Sequence, residues 1–377
     1  MARPRTSNPF RFEGPLDLSA LIGRNVEVEA LIGNALDRRV VSLAAPRRYG
    51  KTSLLRAVGA VLQAEHDFLV AYVDLQALSG IDDFVARFGS SWRAATRTHR
   101  RARRQFESVA GGLSSFGLTL LGTGVQFTRR RHDPQSALTA AHALLHLPAD
   151  AGAPVLVVMD EFQDLHGAWP DGEGVLRSHT QAPAQTGKVA YMFAGSEPSL
   201  LAAAFEDRGR AYYQQVLRRG VGRLPGEALR SGITDRFTAT GKEAGLALGP
   251  LLDLADGHPQ RAMFLAHLLW EQTPAAGRAD GHWERALALA RAQAADEATA
   301  IWESLTTAQR AALRAVVDHA SPTAAAAPGP RASRQRAGQH LLARGLTETT
   351  EEQGPRGGTR YRLVDPLLAD WIRRRSG

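Results

Sequence analysis

Apolar residues fall along this chain in two alternating rhythms. In "IGRNVEVEALIGNAL", residues 22 to 36, Val26, Ala30, Leu31, Ile32 and Leu36 recur at helical spacing, which predicts a first helix. "RVVSLAA" then reads as a short buried strand, and "DFLVAYVDLQAL", 67 to 78, has the length and β-branched content of a second. "PVLVVMDEFQDL", 154 to 165, and "KVAYMFAGSEPSLL", 188 to 201, each open with an uninterrupted apolar run and end in polar residues. Strands that are apolar on both faces and alternate with helical segments imply a parallel sheet covered by helices on both sides.

Outside that alternation the pattern changes three times. Residues 1 to 20 are rich in Pro and Arg and read as an extended arm. Between 97 and 131, two arginine runs flank alternating residues Phe116, Leu118, Leu120 and Val125, Phe127, with Gly122 to Gly124 as the turn, so an inserted hairpin is expected. Residues 226 to 300 are helical throughout, broken by "TPAAGRADGHW". Residues 301 to 377 open on an amphipathic helix that Thr306 or Thr307 would cap, then read as loop, basic helix, strand, Gly-rich turn, strand and final helix. That is the layout of a winged-helix domain. The expected organisation is an arm (1–20), an α/β core (21–225), a helical segment (226–300) and a winged helix (301–377).

Composition narrows the chemistry. The chain of 377 residues has 46 Lys and Arg against 38 Asp and Glu, a balance of +8 that suits an anionic partner. It has no cysteine, which excludes disulfides and thiolate metal sites, and the twelve histidines are read as lacking the paired spacing of a zinc site. The N-terminus has no apolar signal region and no run is long enough to span a membrane, so a cytoplasmic protein is expected.

One stretch carries most of the chemistry. "SLAAPRRYGKTSLL", 42 to 55, matches the phosphate-binding pattern G-x-x-x-x-G-K-[ST] except that Ala45 stands where the first glycine should. Gly50 lets the backbone approach phosphates, Lys51 can reach the outer phosphate oxygens, and Thr52 offers a hydroxyl to Mg²⁺. Pro46, Arg47, Arg48, Tyr49 and Ser53 complete the candidate loop. The strand before it and helix after it supply amide N–H groups and a helix dipole that favour an anion. Downstream, Asp160 at a strand end is a candidate metal carboxylate, and Glu161 a candidate orienter of the attacking water. The alternative is a basic helix cap and a solvated pair of acids.

The motifs "LIGRNVEVEAL", "PRRYGKTSLL", "VLVVMDEFQDL", "YMFAGSEPSLL", "GHPQRAMFLAHLLW" and "YRLVDPLLADWI" together resemble the archaeal-type ATPase family, related to AAA+ and STAND P-loop NTPases. The resemblance runs from about residue 20 to 375. It implies a parallel sheet in the order 5-1-4-3-2, a helical lid and a C-terminal winged helix, with ATP and Mg²⁺ as cofactors. By the same resemblance Lys51 and Thr52 match the Walker A pair, Asp160 and Glu161 Walker B, and Ser196 the sensor 1 position. Ile22, Gly23 and Arg24 match a segment bordering the base. Pro259 and Arg261 fall in "GHPQR", which resembles both the STAND GxP signature and sensor 2. There the usual arginine position is Gln260, and one place along a helix turns a side chain by about 100°. Arg208 or Arg210 stands where an arginine finger would reach a neighbouring subunit.

Two functions of different class follow. One is an ATPase that hydrolyses ATP and acts on duplex DNA through Arg331, Arg334 and Arg336 of the basic helix, alone or as an oligomer. The other is a slow nucleotide-controlled switch whose winged helix binds a protein, a reading favoured by the acidic wing "TETTEE".

Overall fold

The computed structural model describes residues 7–114, 117–121, 124–127, 134–324, 330–353 and 359–376. Helix α1 spans Asn25–Leu36, strand β1 Val40–Ala44, α2 Lys51–Glu65 and β2 Leu69–Asp74. Next come α3 (Ile81–Ala95), α4 (Arg100–Leu113), a hairpin of β3 (Leu118–Leu121) and β4 (Gly124–Phe127), and α5 (Pro134–Asp150). The core closes with β5 (Val155–Asp160), α6 (Asp164–Ala168), α7 (Gly172–Gln185), β6 (Val189–Gly195), α8 (Pro198–Glu206) and β7 (Leu217–Gly220).

β1, β2, β5, β6 and β7 form one parallel sheet in the order β2-β5-β6-β1-β7. Counted one to five along the chain and read from the β7 edge, that order is the expected 5-1-4-3-2. Every residue of β5 and β6 is buried, which the unbroken apolar runs required. β7, "LRRG", is exposed along its whole length, and no residue pattern announced it. The first helix begins at Asn25 rather than 22, because Gly23 takes a left-handed φ of 60° and the chain turns there.

The insertion is partly as expected. β3 and β4 pair antiparallel, while the preceding arginine run lies on α4, which buries Ala102, Phe106, Ala110 and Leu113 and turns its arginines to solvent. The second run, 128 to 131, and Phe116, Gly122 and Thr123 of the expected hairpin lie outside the described residues.

After the core come α9 (Gly226–Ala239), α10 (Leu248–Ala255), α11 (Pro259–Gln272) and α12 (Trp283–Glu303), whose apolar faces form a core of their own. Phe10 of the arm is buried in that core, so part of the arm is anchored. The C-terminal segment is α13 (Thr307–His319), α14 (Arg331–Ala343), the antiparallel pair β8 (Thr347–Gln353) and β9 (Thr359–Leu363), and α15 (Pro366–Ser376). Thr306 caps α13 in a reciprocal box with Gln309. This is the helix, helix, hairpin, helix order read from the sequence. Val364 joins the apolar cluster of α1, β1 and Tyr49, and Leu367 that of α9 to α12, so the segment packs on both preceding parts.

No helix among the described residues is long and apolar enough to cross a membrane.

Candidate nucleotide site

A cavity of about 420 Å³ opens at the C-terminal edge of the parallel sheet, within the range of small-ligand pockets. β1 ends at Ala44 and the chain reaches α2 through residues 45 to 50, a loop that curls around the cavity floor. Ala45 is buried, and its φ is not positive, so the missing glycine carries no backbone penalty. Gly50 does need the left-handed region, with φ at 83°, and Arg48 adopts it too at 68°. Lys51, Thr52 and Ser53 form the first turn of α2, so their N–H groups and the helix dipole face the cavity.

The carboxylates converge from β5. Lys51 is 5% exposed, and its ammonium is paired with Asp160 and, at 3.3 Å, with Glu161. Thr52 Oγ1 donates to Asp160 Oδ2 at 3.0 Å, and the Tyr72 hydroxyl donates to the same oxygen. Burial raises the Asp160 carboxyl, but the Lys51 charge and these donors outweigh it, and the net effect holds Asp160 below the usual carboxylate range.

Glu161 sits at a φ of 54°, a strained value for a non-glycine residue, immediately after the strand. Its backbone N–H donates to Asp160 Oδ1 at 3.0 Å. Its Oε2 accepts from Ser196 Oγ at 2.8 Å, from Ser196 N at 3.0 Å and from Gln163 Nε2 at 2.7 Å. Here too burial raises the carboxyl, while Lys51 and the donors from Gln163 and Ser196 bring it below its ordinary value. Both acids are therefore ionised at neutral pH, one beside the threonine hydroxyl and one aimed at the cavity. Ser196 reaches Glu161 because β6 ends beside β5 in the sheet.

The predicted residues divide clearly. Pro46, Arg47, Arg48, Tyr49, Gly50, Lys51, Thr52, Ser53, Glu161, Ser196, Ile22, Arg24 and Pro259 all line the cavity, with Asp160 directly beneath. Gly23 does not line it; a side chain there would lie 2.7 Å from Ala228 Cβ, so its place is a close approach to α9. Arg24 is buried and fixes the loop, donating to Tyr49 O at 3.3 Å, Gly222 O at 2.6 Å and Glu27 at 2.6 Å.

Arg261 departs from its expected role. Its Nε lies 3.0 and 3.2 Å from the two Asp365 oxygens, its Nη2 bonds Asp365 and reaches Glu297 at 3.3 Å, and it is absent from the cavity wall. The one-place offset points this side chain away, and Gln260 lines the cavity instead. Arg210 is held by the buried carboxylate of Glu173, with Nε at 2.8 Å from Oε2, whereas Arg208 is exposed and away from the cavity. Arg334 is buried with Nη1 on Ala324 O at 2.6 Å, which leaves Arg331 and Arg336 exposed on α14.

Sequence reasoning missed the arm. Arg11, Phe12, Gly14, Pro15 and Leu16 form a cavity wall, Leu16 N donates to Ser53 Oγ at 2.9 Å, and Phe12 packs edge-on to Phe264 of α11. Its aromatic residues, spaced two apart, were the available signal. It also missed that His142 and His146 stand four apart on α5 and meet His179, with Nδ1 of His142 2.6 Å from Nε2 of His179. Among the described residues, however, no group of three or more such side chains could hold a metal ion.

No family model and no curated protein matches the chain. Solved structures do. A Walker-type ATPase of Pyrococcus abyssi superposes with a TM-score of 0.64 at 16% identity, covering 97% of this chain and 99% of that one. The ORC2 protein of Aeropyrum pernix, solved in ADPNP-ADP complexes, gives 0.58 at 16% identity with coverage of 97% and 98%. Its ADP form gives 0.53 at 16% identity, covering 96% of each chain. The expected fold of a P-loop ATPase, a parallel sheet flanked by helices, is thus the fold of this chain.

Proposed function

We propose that this chain binds ATP with Mg²⁺ in the cavity around Lys51 and hydrolyses it, coupling turnover to movement of its C-terminal segment. The observation that carries the reading is the convergence of Lys51, Thr52, Asp160, Glu161 and Ser196 from three separate elements on one cavity. The resemblance in fold to proteins solved with adenine nucleotides supports it.

The donor set fits Mg²⁺. A threonine hydroxyl and a carboxylate oxygen 3.0 Å apart are hard oxygen ligands, and Mg²⁺ takes one or two of these with phosphates and water. Thr52 and Asp160 would hold the ion, and bound there it would supply positive charge to the phosphate oxygens. The protein's own residues account for the rest. Lys51 is balanced by Asp160 and Glu161, so an arriving triphosphate competes with these acids for the ammonium. The amide N–H groups of residues 50 to 52 take the remaining phosphate oxygens. Glu161, ionised and held by Ser196, is placed to orient a water and accept its proton as it attacks. Arg208, exposed after α8, is free to serve a neighbouring copy in an oligomer.

Glu161→Gln tests the chemistry: ATP affinity should hold while steady-state turnover falls about 100-fold or more. Unchanged turnover would remove Glu161 from the reaction.

The second reading, a slow switch, is favoured by the position of α14. This helix, the expected DNA reader, lies beside α8 of the core. Turnover measured with and without duplex DNA separates the readings. Stimulation of several-fold supports action on DNA through Arg331 and Arg336, and tight ATP retention with negligible turnover supports the switch acting on a protein partner.

A further inference from the structure

The phosphate loop is held from a distant part of the chain. Tyr49, directly before Gly50, is fully buried, and its hydroxyl donates to Glu348 Oε1 of β8 at 2.8 Å. The same oxygen accepts from Arg223 Nε and from Arg362 Nε, each at 2.7 Å. Arg223 in turn donates to the backbone of Leu363 at 2.7 Å and Val364 at 3.1 Å, clasping the end of β9. Next to Tyr49, Arg48 reaches Glu297 at 2.9 Å and Asp365 at 3.9 Å. The Tyr49 ring meets the His258 ring at 5.0 Å, so α11 supports the same loop from the other side.

From this we infer that Glu348 is a positioning residue for the phosphate loop, so that nucleotide binding and docking of the β8–β9 hairpin are linked through its bond to Tyr49. The inference rests on the P-loop reading above and deepens it. A loop binds phosphate tightly when its backbone amides are already aimed, and two of the three residues preceding Lys51 have left-handed backbones that need outside support. Tyr49 is tied to Arg24 through its carbonyl and to Glu348 through its hydroxyl. Only the second tie comes from the C-terminal segment. Whatever affinity the docked hairpin adds to nucleotide binding, bound nucleotide must return to docking by the same factor. Glu348, the first acid of "TETTEE", thus turns inward to the loop rather than outward to a partner.

Tyr49→Phe keeps the ring and removes one hydrogen bond, and Glu348→Gln keeps an acceptor and removes the charge. Each should weaken ATP affinity roughly three- to tenfold by calorimetry. The double variant should be no weaker than the worse single, because Tyr49→Phe removes, and Glu348→Gln weakens, the same tie. As the chain has no cysteine, single cysteines at the exposed positions Glu65 and Gln339 accept spin labels without background. In Tyr49→Phe their distance distribution should broaden without ATP and narrow when ATP is added. ATP affinity in both variants within twofold of the parent, with Lys51→Ala weakening it roughly a hundredfold, overturns this inference and leaves the P-loop reading standing. A parent protein that fails to bind ATP overturns both.

Discussion

Replacing Arg261 by Ala distinguishes a nucleotide contact from a structural ion pair, because the two roles predict opposite outcomes. Arg261 is 6% exposed, and its fork grips Asp365, whose side chain is 20% exposed. Burial raises the Asp365 carboxyl, but the hydrogen bonds and charge of Arg261 hold it below its ordinary range. Breaking a buried pair by removing one partner costs about 3–5 kcal/mol. Asp365 would keep the Leu367 N–H at 2.9 Å and a distant Arg48, so a loss of about 2–4 kcal/mol is expected. Urea denaturation measures it, and Arg261→Ala with Asp365→Ala should together cost less than the sum of the single losses. Because the Asp365 value is depressed, its contribution is complete above the unfolded-state value and lost as pH falls through the folded one; Arg261→Ala should reduce that acid dependence. A variant of parental stability with ATP affinity reduced tenfold would refute the assignment and restore Arg261 to the nucleotide.

Other residues give sharper signs. Burial pushes the His258 imidazole down to about 3, with its Nδ1 accepting from the Arg261 N–H at 3.2 Å. The unfolded chain takes up that proton near pH 6.5 and the folded one does not, so stability should fall with decreasing pH from about 6.5 toward 3, by up to about 1.4 kcal/mol per unit. His258→Asn, which keeps a helix-capping acceptor, should flatten that part of a stability–pH curve; an unchanged slope would assign it elsewhere. Gly23→Ala forces a left-handed φ on Ala and a 2.7 Å approach to Ala228, and should lower stability by about 1–3 kcal/mol in the same denaturation assay.

What was legible in the sequence was local. Lys51, Thr52, Asp160, Glu161 and Ser196 each sit at the end of an apolar strand or the start of the following helix, and a parallel sheet brings such ends to one edge whatever the rest of the chain does. The sheet order followed once those strands were identified by resemblance. What was hidden depends on partners far apart in the chain. β7 has no buried residue to mark it and is a strand only because β1 pairs with it. Tyr72 looks like an ordinary strand aromatic until β5 places Asp160 against its hydroxyl. Arg24 was expected beside the base and Arg223 stands in no motif, yet the side chain of each is buried against carbonyls or carboxylates more than a hundred residues away. Arg261 fell within a recognisable motif, and its direction was set by Asp365, which no local pattern reveals.

Calorimetric titration of Mg²⁺-ATP into the parent protein and into Lys51→Ala tests the central claim most directly. Lys51 supplies the one buried ammonium among the cavity's described lining, so its loss should weaken binding roughly a hundredfold, about 2.7 kcal/mol, with the fold retained. Equal affinity in the two proteins would contradict the claim that this cavity holds the phosphates.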